Sequence, residues 1–149
     1  MVAPGDGPPM HVHKLQHEAI TVREGRLGWM GPDGVEHFVG AGETVTWAPG
    51  QVHRFWNAGD EPLRGTGELW PPHNVEYFLT SIFDSMARNG GKRPGLFDVA
   101  FLLTRYRSEF DMVEIPAPVR KLLVPVVYRL GKALGKHKRF EGAPEPVAA

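Results

Sequence analysis

Apolar residues in the first half of the chain come in short runs that end at glycine, proline, aspartate or asparagine. AITV precedes Arg23-Glu24-Gly25, RLGWM precedes Gly31-Pro32-Asp33-Gly34, and VEHFV precedes Gly40. TVTWA runs into Pro49-Gly50, and VHRFW into Asn57-Ala58-Gly59-Asp60. Strands broken by turn signals every 8–12 residues or so predict a β-sandwich or barrel. Pro32-Asp33-Gly34 has hairpin-turn chemistry, so RLGWM and VEHFV are predicted to pair.

After Pro72 the period changes from two to that of a helix. Val75, Phe78, Leu79, Ile82, Phe83 and Met86 share one face, with Asn74 as a candidate N-cap and Asn89-Gly90-Gly91 as the stop. A second helical pattern runs from Leu96 to Phe110. A third begins near Pro118, with Val119, Leu122, Leu123, Val126, Val127, Leu130 and Leu134 on one face, and Pro125 should kink or divide it. The chain therefore reads as a β core over residues 1–72 and a helical extension over residues 73–149. The extension is expected to pack on the core or on a partner subunit, and the tail after about 141 is expected to be disordered.

Against this pattern the histidines stand out. His11 and His13 are two apart, so on a strand both face one way. Glu18 follows in the β-branched stretch HEAITVREG, and His53 must arrive from another strand. Three imidazoles and a carboxylate suit a divalent first-row metal. His17 adjoins Glu18, so only one of the two can point inward; His37 and His73 read as surface residues.

The spacing around these residues resembles the two conserved boxes of the cupin superfamily. Gly5, His11, His13, Glu18 and Gly25 fall in the first, and Gly42, Gly50, His53 and Asn57 in the second, with the proline displaced by one to Pro49. The resemblance implies a mainly β fold, a cupin jelly-roll β-barrel followed by C-terminal α-helices. It also implies one divalent metal, Fe, Mn, Ni, Co or Zn, held by His11, His13, Glu18 and His53. The C-terminal segments Ile115-Pro116-Ala117-Pro118-Val119-Arg120 and Ala133-Leu134-Gly135 resemble a group of short bacterial cupin-domain proteins with no settled activity. Small cupins usually carry some thirty residues of strand before the first His-x-His, and here there are ten. A shortened barrel with an open sheet edge is the expectation, covered by the helices or by a second copy in a homodimer.

Composition narrows the rest. Lysine plus arginine equals aspartate plus glutamate at 17 each, so no global charge draws the chain to nucleic acid. Without cysteine there is no disulfide, thiolate ligand or cysteine nucleophile. The start, MVAPGDGPPM, lacks the pattern of a signal peptide, and no apolar run suits a transmembrane segment, so the expected location is cytoplasmic.

In the superfamily, such a ligand set resembles those of dioxygenases acting on phenols and enediols, oxalate-degrading enzymes and sugar-phosphate isomerases. Glu18 would then serve twice, as ligand and as the catalytic proton acceptor. Ile20 and Val22 share the face of Glu18, and Phe55 and Asn57 that of His53, which makes these four the expected substrate pocket. Arg54 and Trp56 should face the other way. With no inward lysine or arginine, the small-molecule substrate is expected to be apolar or phenolic rather than phosphorylated. The expected function is a metal-dependent, dioxygenase-like oxidoreductase. The alternatives are a binding module without turnover and a metal-dependent isomerase or lyase. A third class, an interaction or membrane-surface protein, is suggested by Arg120, Lys121, Arg129, Lys132, Lys136, Lys138 and Arg139 in the last helical segment.

Overall fold

The computed structural model describes residues 2–148 and divides the chain into two compact units. The first runs to Pro71 and takes back Asp111–Glu114; the second comprises Pro72–Phe110 and the chain from Ile115 onward.

In the first unit the turn residues deliver the strands that the sequence predicts. β1 (Val12–His13), β2 (His17–Glu24), β3 (Arg26–Met30), β4 (Glu36–Gly40), β5 (Thr44–Trp47), β6 (Arg54–Asn57) and β7 (Arg64–Trp70) follow in order. β2 to β7 form two three-stranded sheets, β5-β2-β7 and β4-β3-β6, antiparallel throughout. The β3–β4 hairpin forms as expected, with Leu27 opposite Val39 and Trp29 opposite His37. Its turn is held by the Gly34 N–H on the Gly31 carbonyl and the Val35 N–H on Asp33 Oδ1. β2 alternates strictly: Glu18, Ile20 and Val22 are buried while His17 and Arg23 are exposed. Ile20, Val22, Val45 and Trp47 of one sheet meet Leu27 of the other and Leu63 in a single apolar core.

The ten residues before His11 do not leave β6 with an open edge. Val2 bridges Leu63, Gly5 and Asp6 bond the backbone of Asn57, and His11 exchanges both backbone bonds with His53. β6 is thus paired with β3 on one side and with this segment on the other. The approach is close enough that a Cβ on Gly7 would lie 2.0 Å from the Phe55 carbonyl oxygen, so only glycine fits there. Asp111–Glu114 completes the unit: the Glu114 N–H bonds the Met10 carbonyl, and Glu114 Oε2 accepts the Met10 N–H.

The second unit is built from α1 (Val75–Arg88), α2 (Leu96–Arg105) and α3 (Val124–Ala133). β8 (Phe110–Asp111) lies at the junction with the returning strand segment. Val75, Phe78, Phe101, Leu102, Tyr106 and Phe140 are buried, with the Phe101 and Phe140 rings stacked 4.2 Å apart. Asn74 stands at the N-cap of α1, but its side chain makes no capping bond and reaches Glu109 and the Glu145 carbonyl instead. Pro125 does divide the third helix. Lacking an N–H, it cannot close the regular bond to residue 121, and the preceding turn, Val119–Leu123, is wound as π-helix with the Val124 N–H on the Val119 carbonyl.

Residues 143–147, within the tail expected to be disordered, have partners some forty residues away in sequence: Arg105 donates to the carbonyls of Ala143 and Pro144, Tyr106 Oη–H to Pro144, and the Val147 N–H to Glu109 Oε1. The apolar face of the third helix is not covered within this single chain. Leu122, Leu123, Val126, Leu130 and Leu134 are all exposed, while Val124, Tyr128 and Gly131 turn inward.

Candidate metal centre

β1, β2 and the start of β6 bring four donor groups together. The ligand atoms of His11, His13 and Glu18 lie within 4.8 Å of one another. His53 joins them from the segment bridged to His11: its Nε2 is 3.0 Å from Glu18 Oε2. His13 Nε2 is 3.2 Å and His11 Nε2 3.9 Å from the same carboxylate oxygen. His13, Glu18 and His53 are buried and His11 is nearly so.

The ring orientations are fixed from behind. His11 Nδ1–H donates to the Pro9 carbonyl at 2.8 Å, and His53 Nδ1–H to the Gln51 carbonyl at 3.0 Å. A carbonyl only accepts, so these two Nδ1 atoms carry protons and the Nε2 of each ring is left to face Glu18. A ring nitrogen without a proton repels a carboxylate oxygen at hydrogen-bond distance unless a proton or a cation lies between them. The arrangement fits a metal ion, with the second nitrogen of His11 and of His53 tied to a carbonyl as in protein metal sites generally. Burial on its own would raise the Glu18 pKa, but hydrogen bonds from protonated nitrogens of His11, His13 and His53 outweigh it and hold the carboxyl well below the usual carboxylate range. Glu18 therefore offers a negative charge at any pH near neutrality.

One wall of the site is aromatic. Trp47, directly across from Glu18 in the β2–β5 register, stacks on His53 at 4.1 Å and 5°. Phe55 lies 5.9 Å from Trp47 and 6.4 Å from His11, and Trp29 meets Trp47 edge-on at 5.8 Å. Trp29 in turn stacks on the exposed His37 at 4.4 Å.

Not every expected pocket residue lines the site. Phe55 does, whereas Ile20 and Val22 belong to the packed core. They lie one and two steps down β2 from Glu18, roughly 7 and 13 Å at strand rise. Asn57 is also reassigned. Its Nδ2 donates to the carbonyls of Val2 and Glu61 and its Oδ1 accepts from the Gly59 N–H, so its amide clamps a loop to the N-terminal segment. His17 is exposed, as alternation requires. Trp56 lies on the outer face against Gly28, with the Arg54 guanidinium over its ring at 5.3 Å.

Gln16 and Trp47 are the residues that motif reasoning missed. Gln16 has no exposed surface, and neither its amide oxygen nor its nitrogen finds a hydrogen-bond partner; the indole N–H of Trp47 is likewise buried and unbonded. Such groups cost on the order of 1–3 kcal/mol each and call for an explanation. Gln16 extends the inward register of Glu18, Ile20 and Val22 by one step, a signal present in the sequence.

Residues 1–70 match the family described as Cupin domain. Among solved structures, the chain is similar to a conserved protein with a double-stranded β-helix domain from Klebsiella pneumoniae (30% identity, 47% of this chain and 61% of that one, TM-score 0.44). It is also similar to a Cupin 2 conserved barrel domain protein from Salinispora arenicola (30% identity, 53% and 65%, TM-score 0.43). A third is a cupin-superfamily sugar phosphate isomerase from Silicibacter pomeroyi (29% identity, 44% and 43%, TM-score 0.40). The chain spans less than two thirds of the length of each of these proteins. No curated protein matches the chain.

Proposed function

We propose that this chain, whose residues 1–70 match the Cupin domain family, binds one divalent transition metal and oxidises a small, largely apolar or phenolic molecule. His11, His13, Glu18 and His53 hold the ion. The observation that carries the reading is the convergence of imidazole nitrogens on the Glu18 carboxylate, which a cation resolves. When bound, such an ion supplies Lewis acidity and open positions for substrate and dioxygen.

The chain's own residues set what can enter. Trp47 and Phe55 offer flat apolar surface to a ring, and no lysine or arginine shares the inward register of β2 or β6 to hold a phosphate. Glu18 would accept a proton from a substrate hydroxyl once it swings away from the ion and from the histidines that hold its pKa down. We further propose a homodimer: β7 is an edge strand, mostly exposed, with its outer side available for pairing. Monomer mass by light scattering at micromolar concentration would remove that part.

Elemental analysis and an oxygen electrode test the whole. Reconstituted protein should hold close to one equivalent of metal. Loaded with iron or manganese, it should consume oxygen with at least one of a panel of catechols, flavonols and β-diketones, and His53→Ala should not. Ligand-induced shifts in melting temperature without oxygen uptake would establish a binding module instead. Turnover without oxygen under zinc or nickel would establish an isomerase or lyase.

A further inference from the structure

The third helix of the second unit has three faces, where a helix buried in a domain has two. Val124, Tyr128 and Gly131 form the packed one. Tyr128 lies 6.2 Å from the Phe101 ring and 5.1 Å from His137, and a Cβ on Gly131 would meet His137 Nε2 at 2.5 Å. Leu122, Val126, Leu130 and Leu134 recur every fourth residue on a second face, and they are 70%, 57%, 50% and 56% exposed. Arg129 and Lys132 on the α-helix, with Lys121 in the π-helical turn before it and Lys136 in the turn after it, add exposed basic positions beside that apolar stripe. All four are exposed, and among the described residues none of them is in an ion pair.

Charge along the chain sharpens the picture. Lysine and arginine balance aspartate and glutamate overall, yet between Glu114 and Glu141 there are seven basic residues and no acidic one. A long exposed apolar stripe on a soluble surface marks an interaction site. Basic positions beside it favour an anionic partner that also has an apolar interior. A second copy of this face meets those terms poorly, because two-fold pairing would set like-charged positions against each other. An anionic bilayer meets both: its headgroups take the lysines and arginines, and its acyl boundary takes the leucines. Among the described residues no helix is long and apolar enough to cross a membrane, so this one would lie along the surface.

We propose that the Leu122–Leu134 face seats the protein on an anionic lipid surface. The test is sedimentation of the full chain with vesicles of phosphatidylglycerol and phosphatidylcholine at 3:7, against vesicles of phosphatidylcholine alone. The protein should pellet with the first and not the second, and raising the salt to about 0.5 M should reduce binding tenfold or more, since surface attraction is screened. Lys121→Glu with Lys132→Glu, and separately Val126→Asn with Leu130→Gln, should each reduce binding about tenfold or more. Both pairs are exposed, so the melting temperature and metal content should hold and show that any loss is not unfolding. Absence of binding to anionic vesicles would overturn the proposal. So would binding that survives the apolar pair, which would mean charge adhesion without seating. So would a dimer that the apolar pair dissociates in a protein that ignores vesicles, which would assign the face to a second copy.

Discussion

Glu18 in the strand unit and Glu109 and Asp98 in the helical unit are all buried carboxylates, and they are partnered in opposite ways. Glu109 accepts from the Asn74 N–H, Asn74 Nδ2 and the Val147 N–H. Asp98 Oδ2 accepts from Ser85, Arg88 and Arg139. Each of those carboxylates faces donors and is neutralised or satisfied on the spot, so neither has room for a cation. Glu18 faces three imidazole nitrogens, two of them on rings whose Nδ1–H is committed to a carbonyl behind. The difference teaches that burial of a charge does not mark a site. The donor or acceptor character of what surrounds it does.

The comparison breaks first at His53. His53→Ala removes a ligand outright, and metal affinity should fall by more than the ~10–100-fold that loss of even an outer partner of a ligand produces. Titration with metal, read by elemental analysis, checks this; retained occupancy would show that the other three groups suffice. Asp98→Ala should leave metal binding alone and destabilise the fold by about 1.5–3 kcal/mol, discounted because Arg88 and Arg139 are half exposed and regain water. Chemical denaturation gives the number. A change under about 0.5 kcal/mol would reduce Asp98 to a surface pair. Glu109→Gln turns one acceptor into a donor against an N–H and should cost about 1–2 kcal/mol, with faster amide exchange over residues 143–147 as its signature. The smallest effect is at acid pH. Because the folded-state pKa of Glu18 is depressed, its share of stability is present above its unfolded value of about 4.3 and lost as pH falls through the folded one. Glu18→Gln should therefore flatten the acid limb of metal-free stability below pH 4. An unchanged slope would assign that limb to other carboxylates.

The two units also differ in how far the sequence disclosed them. The ligand residues were legible because a spacing of two puts His11 and His13 on one face, and because the turns around Gly25, Gly42 and Gly50 take positive φ, where glycine is favoured. Alternation put Ile20, Val22 and Phe55 on the inward faces, but it gives a face and not a depth along the strand. The partners of Asn57 and of the C-terminal tail, at Val2, Asn74, Arg105 and Glu109, are remote in sequence and left no local signal. In the helical unit, periodicity found the three α-helices of the described residues. What covers the apolar stripe of the third was not legible, because a stripe of leucines looks the same whether protein or something else will cover it.

The stacking of Trp47 on His53 gives the centre an optical reporter of its own. With the indole plane 4.1 Å from the imidazole that would hold the ion, a paramagnetic metal quenches the excited indole at close range, whereas closed-shell zinc leaves it emitting. Trp29 touches that indole edge-on, while Trp56 and Trp70 lie on outer surfaces and provide a steady background. The arrival of a paramagnetic metal would thus be a loss of light from one buried chromophore, readable in a cuvette before any substrate is known.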